Sequence, residues 1–134
     1  MKKIQQPPEK DYFKTSNNDI YAGDHIIIDL WGASYLDDLV RMESAFKEAI
    51  EVSGAALLHI HLHSFDSTGG ISGVAVLAES HISVHTWPEK SYAAFDVFMC
   101  GSANPALTVP VFEKAFNPRK IEITTIKRGM IKPS

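Results

Sequence analysis

The sequence predicts an α+β fold, a two-layer α/β sandwich whose sheet is mainly antiparallel and whose helices lie on one face. Apolar residues alternate with polar ones over 25–31, 55–64, 73–79, 81–87, 92–100 and 120–128, the period of half-buried strands. The stretches 35–52 and 105–116 change to helical spacing. Few links between strands are long enough for a helical crossover, so most neighbouring strands must run antiparallel.

Residues 1–22 hold Pro7, Pro8 and Ser16-Asn17-Asn18-Asp19 without apolar periodicity, and are expected to form an extension that orders only against a partner chain. A single folded domain is expected over 23–134. After its first strand, Gly32-Ala33-Ser34 turns the chain, with Ser34 as the expected N-cap and Asp37 three residues on. Leu39, Met42, Phe46, Ala49 and Ile50 then recur at helical spacing as far as Gly54, a residue suited to a left-handed stop. The second helix runs from Pro105 to Phe116, and Pro110 is expected to disturb it.

The length of 134 residues, 45% hydrophobic and 22% charged, fits one globular domain with a buried core, and no second catalytic domain is expected. Thirteen Lys and Arg against 16 Asp and Glu give a net charge of −3 without long runs of one sign. Neither a nucleic acid nor an anionic membrane is therefore an expected partner. No apolar stretch approaches the ~18 residues of a membrane helix, and the polar start lacks the apolar segment of a signal peptide, so a cytoplasmic protein is expected. The single cysteine, Cys100, excludes an internal disulfide and a thiolate-only zinc site, which leaves it as an apolar filler or a reactive thiol.

Successive strand residues point to opposite faces, so each strand divides into two rows. One set of rows is apolar: Ile26, Ile28, Leu30; Leu58, Ile60, Leu62; Ile82, Val84, Thr86; Ala93, Phe95, Val97, Met99. The other set carries the chemistry: His25, Asp29, Trp31; Leu57, His59, His61, His63; His81, Ser83, His85, Trp87; Asp96, Phe98, Cys100. With the helices packed on the apolar rows, the second face is either solvated or a site. Its large aromatics argue against simple solvation and for a second sheet from another copy of the chain. His59, His61 and His63 do not make a metal site by themselves. Alternate strand residues lie ~6.7 Å apart, so the outer pair is ~13 Å apart and cannot share an ion bound at ~2.1 Å. No metal is expected. A Cys100–His85 nucleophilic pair is geometrically open because both residues lie in the same set of rows.

Residues 71–101 contain Glu79-Ser80-His81, then His85-Thr86-Trp87-Pro88-Glu89, then Asp96-Val97-Phe98-Met99-Cys100-Gly101. This stretch closely resembles the short prokaryotic S-adenosylmethionine decarboxylases, pyruvoyl-dependent proenzymes that make their own cofactor. The likeness extends more loosely from Gly23 to the closing strand. It implies a decarboxylase that supplies the aminopropyl donor for polyamine (spermidine) synthesis.

The resemblance implies cleavage between Glu79 and Ser80. The Ser80 hydroxyl attacks the Glu79 carbonyl, and elimination with loss of ammonia leaves a pyruvoyl group at position 80. That group would form a Schiff base with the substrate amine and accept the electrons left by carbon dioxide. His85 matches the processing base, Ser72 a serine that assists processing, and Cys100 the proton donor. Glu89 matches the position that binds the ribose hydroxyls, and Phe65 is the candidate for stacking on adenine. The segment from Phe65 to Ser72 is one residue longer than the family's usual loop. The expected assembly is a homodimer of self-cleaved chains. A relative acting on L-ornithine or L-arginine, with Glu89 or Asp96 against the distal cation, and an unprocessed, non-enzymatic homologue that serves as a binding partner are the alternatives.

Overall fold

The computed structural model describes residues 13–131, so the first part of the expected extension, residues 1–12 with Pro7 and Pro8, lies outside it. The chain forms β1 (Lys14–Ser16), β2 (Asp19–Tyr21), β3 (Gly23–Trp31), α1 (Leu39–Ser53), β4 (Leu57–Ser64), β5 (Ile71–Leu77), β6 (Ser80–Trp87), β7 (Tyr92–Cys100), α2 (Thr108–Phe116) and β8 (Lys120–Arg128). Six of these strands make one sheet in the order β4-β5-β6-β7-β3-β8, and every pair in it is antiparallel. Both helices cover the apolar rows, giving the two-layer α+β sandwich that the alternation predicts.

The core is the contact between those rows and the helices. Ile28, Leu30, Ile82, Val84, Val97 and Met99 are fully buried, as are Met42, Phe46 and Ala49 of α1 and Phe112 and Phe116 of α2. Phe95 stands at the centre. Its ring stacks on Phe112 at 4.2 Å between centroids and lies 6.4 Å from Phe46, so one strand residue joins both helices to the sheet.

Helix α1 starts at Leu39, a full turn later than a Ser34 cap would put it. Tyr35 takes a positive φ of 62°, which no helix continues, and Leu36 turns into the core at 3% exposure. Asp38 is therefore the N-cap, its carboxylate accepting from the Arg41 N–H at 3.0 Å. Gly54 ends the helix at φ 85° as expected. Pro110 does not disturb the second helix. A 3-10 turn over Pro105–Leu107 leads into α2, which puts Pro110 in the first α turn, where a backbone N–H has no intrahelical acceptor to lose.

Two further differences have local causes. β5 ends at Leu77 and not at Glu79, because Glu79 adopts φ 64° and cannot stay in the ladder. The pairing of β4 with β5 shifts between Leu57 and His59, so Leu57 lies opposite the buried Leu77 and leaves the histidine row. Within the expected extension, β1 and β2 form a hairpin over Asn17 and Asn18, both at positive φ, as a tight hairpin turn requires. Ile20 then accepts the Ile131 N–H at 2.7 Å, which ties this hairpin to the far end of the chain.

Removing the Phe95 ring should cost about 3–5 kcal/mol, because the cavity would open between both helices and the sheet. Urea denaturation of Phe95→Ala checks this, with Asp38→Ala expected to lose only about 1 kcal/mol through its cap.

Candidate active site

The face opposite the helices carries the polar rows, and strand register places its residues in ladders. One ladder runs His59, Val76, His81, Phe98, His25, Ile126; the next runs His61, Val74, Ser83, Asp96, Ile27, Thr124. At the centre, His25 and His81 each donate from Nε2 to the same oxygen of Asp96, both at 2.8 Å, and the Ser83 hydroxyl donates to the other oxygen. Burial alone would raise the Asp96 pKa, but these three donors outweigh it and hold the carboxyl below its usual range. The ligand atoms of His25, His81 and Asp96 lie within 4.8 Å of one another, close enough to surround an ion. Their polar groups are nevertheless satisfied by each other. His59, His61 and His63 stand exposed on the edge strand β4, away from this cluster.

The sequence-predicted site residues fall into two groups at opposite ends of β6. At its start, the β5–β6 turn holds Glu79 in the left-handed region at φ 64°, a strained place for a residue with a side chain. The Cys100 thiol donates to the Glu79 carbonyl oxygen, and the Ser80 hydroxyl lies 4.0 Å from the same sulfur. Burial pushes the Cys100 thiol up and the Glu79 carboxylate adds to the rise, while the Ser80 hydrogen bond and the Lys14 ammonium work against it. The net direction is upward, so the group holds its proton near neutrality.

At the far end, Ser72 Oγ lies 3.0 Å from His85 Nδ1 across the β5–β6 ladder. Both border a cavity of about 220 Å³ with Phe65, Thr68, Trp87 and Glu89. The loop between Phe65 and Ser72 closes on itself through Phe65 N–H to the Gly70 carbonyl at 2.8 Å and delivers Phe65 to the cavity wall. Beside the cavity, Tyr92 stacks between Trp31 and Trp87 at 4.3 and 5.3 Å, and its hydroxyl donates to Asp29 at 2.5 Å. Burial and that acceptor push the Tyr92 pKa up to about 12, so it remains a donor at any working pH.

The two groups do not meet within one chain. Ser80 and His85 lie five positions apart along β6, a span of about 16 Å. The motif puts Ser80 and His85 five positions apart in the sequence, and a single extended strand keeps them at that distance. Lys14, whose ammonium reaches the loop after Cys100, carries no sign in the sequence, because nothing in an irregular leader marks that contact.

Because the Asp96 pKa is depressed in the fold, its contribution to stability is complete above the unfolded value of about 3.9 and is lost as pH falls through the folded value. Urea midpoints taken between pH 5 and pH 3 should fall more steeply for the parent protein than for Asp96→Asn.

Comparison with known proteins places this geometry. The S-adenosylmethionine decarboxylase family matches residues 24–129. A relative from Methanococcus maripaludis, named S-adenosylmethionine decarboxylase proenzyme, is 49% identical over 112 residues, covering 81% of this chain and 91% of its own. One of the same name from Thermomicrobium roseum is 42% identical over 110 residues, covering 81% and 95%. The crystal structure of the adenosylmethionine decarboxylase from Aquifex aeolicus superposes with a TM-score of 0.73 at 28% identity, over 85% of this chain and 96% of that one. The chain belongs to the S-adenosylmethionine decarboxylase family.

Proposed function

We propose that the protein is a self-cleaving, pyruvoyl-dependent decarboxylase of S-adenosylmethionine that supplies the aminopropyl donor for polyamine synthesis. The observation that carries this reading is the Glu79–Ser80 peptide: a left-handed non-glycine residue, a hydroxyl directly after it, and a thiol donating to the carbonyl that the hydroxyl would attack. An amide is a more stable acyl form than an ester, so the shift needs help. Strain at Glu79 raises the starting state, and the Cys100 S–H stabilises negative charge as it develops on the carbonyl oxygen.

In the first step the Ser80 oxygen bonds to the Glu79 carbonyl carbon, the peptide C–N bond breaks, and the Ser80 nitrogen leaves as an amine. A base then takes the Ser80 α-proton, the ester C–O bond breaks with release of the Glu79 carboxylate, and water replaces the nitrogen as ammonia. An imidazole held by a hydroxyl, as His85 is by Ser72, suits the proton abstraction. The pyruvoyl carbonyl so formed supplies an electron sink for decarboxylation. Cys100, kept protonated by burial, returns a proton to the substrate carbon.

His85 is about 16 Å from the Ser80 of its own chain, and this supports a site shared between two copies. A two-fold contact pairs a surface with its own reverse. A second copy laid on the open face brings the Ser72–His85 end of one chain over the Ser80–Cys100 end of the other. Exposed Trp31, Val74, Val76, Trp87 and Ile126 on that face give it an apolar surface to bury. The cavity of about 220 Å³ beside His85 is also smaller than the roughly 300 Å³ or more of a complete ligand pocket.

Glu89 and Phe65, both lining the cavity, support an adenosyl substrate, the carboxylate accepting from ribose hydroxyls and the ring stacking on the base. Asp96, the other carboxylate considered for the distal cation of ornithine or arginine, is already engaged by His25, His81 and Ser83.

Complementation tests the shared site. His85→Ala and Ser80→Ala should each remain uncleaved alone. Co-expressed, they should yield cleaved His85→Ala chains, since a mixed dimer joins an intact Ser80 from one chain to an intact His85 from the other. Absence of cleavage in a verified mixed dimer, or a monomer by light scattering, would contradict it. For the substrate, processed protein should release carbon dioxide from carboxyl-labelled S-adenosylmethionine and not from ornithine or arginine. Glu89→Ala should raise KM more than it lowers kcat, and release from an amino acid alone would overturn the choice.

A further inference from the structure

Residues 14–22 lie outside the stretch that matches the family, yet they reach the reactive end of the sheet. Gly23 pairs with Cys100 across the β3–β7 ladder, and a Cβ on Gly23 would collide with the Met99 carbonyl oxygen. The segment before β3 therefore emerges in direct contact with the last residues of β7. It is anchored behind by Asp19 accepting from Lys127 at 3.2 Å, by Ala22 N–H to the Arg128 carbonyl at 2.7 Å, and by a Tyr21 ring only 4% exposed. In front, the Lys14 ammonium donates to the Gly101 carbonyl at 2.8 Å and to the Ala103 carbonyl at 2.5 Å.

We propose that Lys14 is a positioning residue for the Cys100 thiol: carried by the β1–β2 hairpin, it clamps the Gly101–Ala103 turn that follows the cysteine and sets a positive charge on that turn. This rests on the reading of Cys100 as the proton donor. Carbonyls 101 and 103 are held by one cation, so the turn cannot relax without moving the end of β7. The charge matters as well. Glu79 already opposes thiolate formation, and cleavage after it would add a terminal carboxylate to the same locality, leaving the thiol too reluctant to give its proton and recover it later. Lys14 offsets that field.

Among the described residues, the other groups near the thiol do not supply a cation. Glu79 comes from the β5–β6 turn and Ser80 from β6. Arg128 of β8, two strands across, is turned toward the Phe98 ring at 5.7 Å and donates to His25 Nδ1 at 3.4 Å. His81 of β6 is committed to Asp96.

Cys100 is the only cysteine of the chain, so thiol alkylation reports on it alone. The rate of reaction of the full-length protein with iodoacetamide should be followed from pH 6 to pH 10.5. Lys14→Met should move the midpoint of this profile up by about half to one unit, a three- to tenfold loss of thiolate at neutral pH. Lys14→Arg should keep the midpoint near that of the parent, and Lys47→Met, which removes an exposed lysine paired with Glu43 on α1, should not move it. Lys14→Met should also inactivate sooner per turnover with S-adenosylmethionine, as misplaced protonation traps product. An unchanged midpoint in Lys14→Met of normal circular dichroism overturns the proposal; should that variant not fold, the same reading on Lys14→Gln decides it. A shifted midpoint with parental inactivation per turnover upholds the clamp and contradicts instead the role given to Cys100.

Discussion

The alternation of side chains along β3, β6 and β7 is the constraint on which the rest depends. Burying Ile28, Leu30, Ile82, Val84, Phe95 and Val97 under two helices fixes the register of three strands at once. A slip of one residue would bring His81, Asp96 and His25 into the core without water. The same register that satisfies the core therefore sets the polar rows side by side on the open face. Asp96 receives its three donors there because β6, β7 and β3 cannot slide against one another.

That rigidity is what allows strain to be kept at the end of β6. Glu79 sits in a turn between two strands whose pairing is fixed by buried side chains, and the turn has few ways to relax. Cys100 ends β7 at the same height and meets its carbonyl, and the Lys14 hairpin holds the loop beyond. At the other end, Ser72 and His85 face each other across the β5–β6 ladder and the Trp31–Tyr92–Trp87 stack stiffens the cavity wall. A single sheet thus presents the Ser80–Cys100 group at one end of β6 and the Ser72–His85 group at the other.

Much of this was legible in the residues, for a physical reason. Period-two alternation is imposed by burial, so β7 and β8 begin and end where the pattern does and the division into rows survives almost everywhere. The exceptions are local: at an irregularity in pairing that one strand cannot reveal, Leu57 changes face and Leu58 of the apolar row is left exposed, and Tyr35 takes a left-handed conformation just before the buried Leu36. The hairpin over Asn17 and Asn18 carried the right turn residues but no apolar pattern, since its strands are three residues long and only Tyr21 among them is buried. For the site, the motif brought together residue types but not places. Ser80 and His85 stand in one short motif and are separated by the geometry of the strand that carries them both.

The most direct test of the account is the mass of the purified protein under denaturing conditions. Strain at Glu79 beside the Ser80 hydroxyl should yield a chain of residues 1–79 and a chain of residues 80–134, the second without a free amine and lighter than its serine form by about one ammonia. An unbroken chain of full mass that nevertheless releases carbon dioxide from S-adenosylmethionine would contradict it.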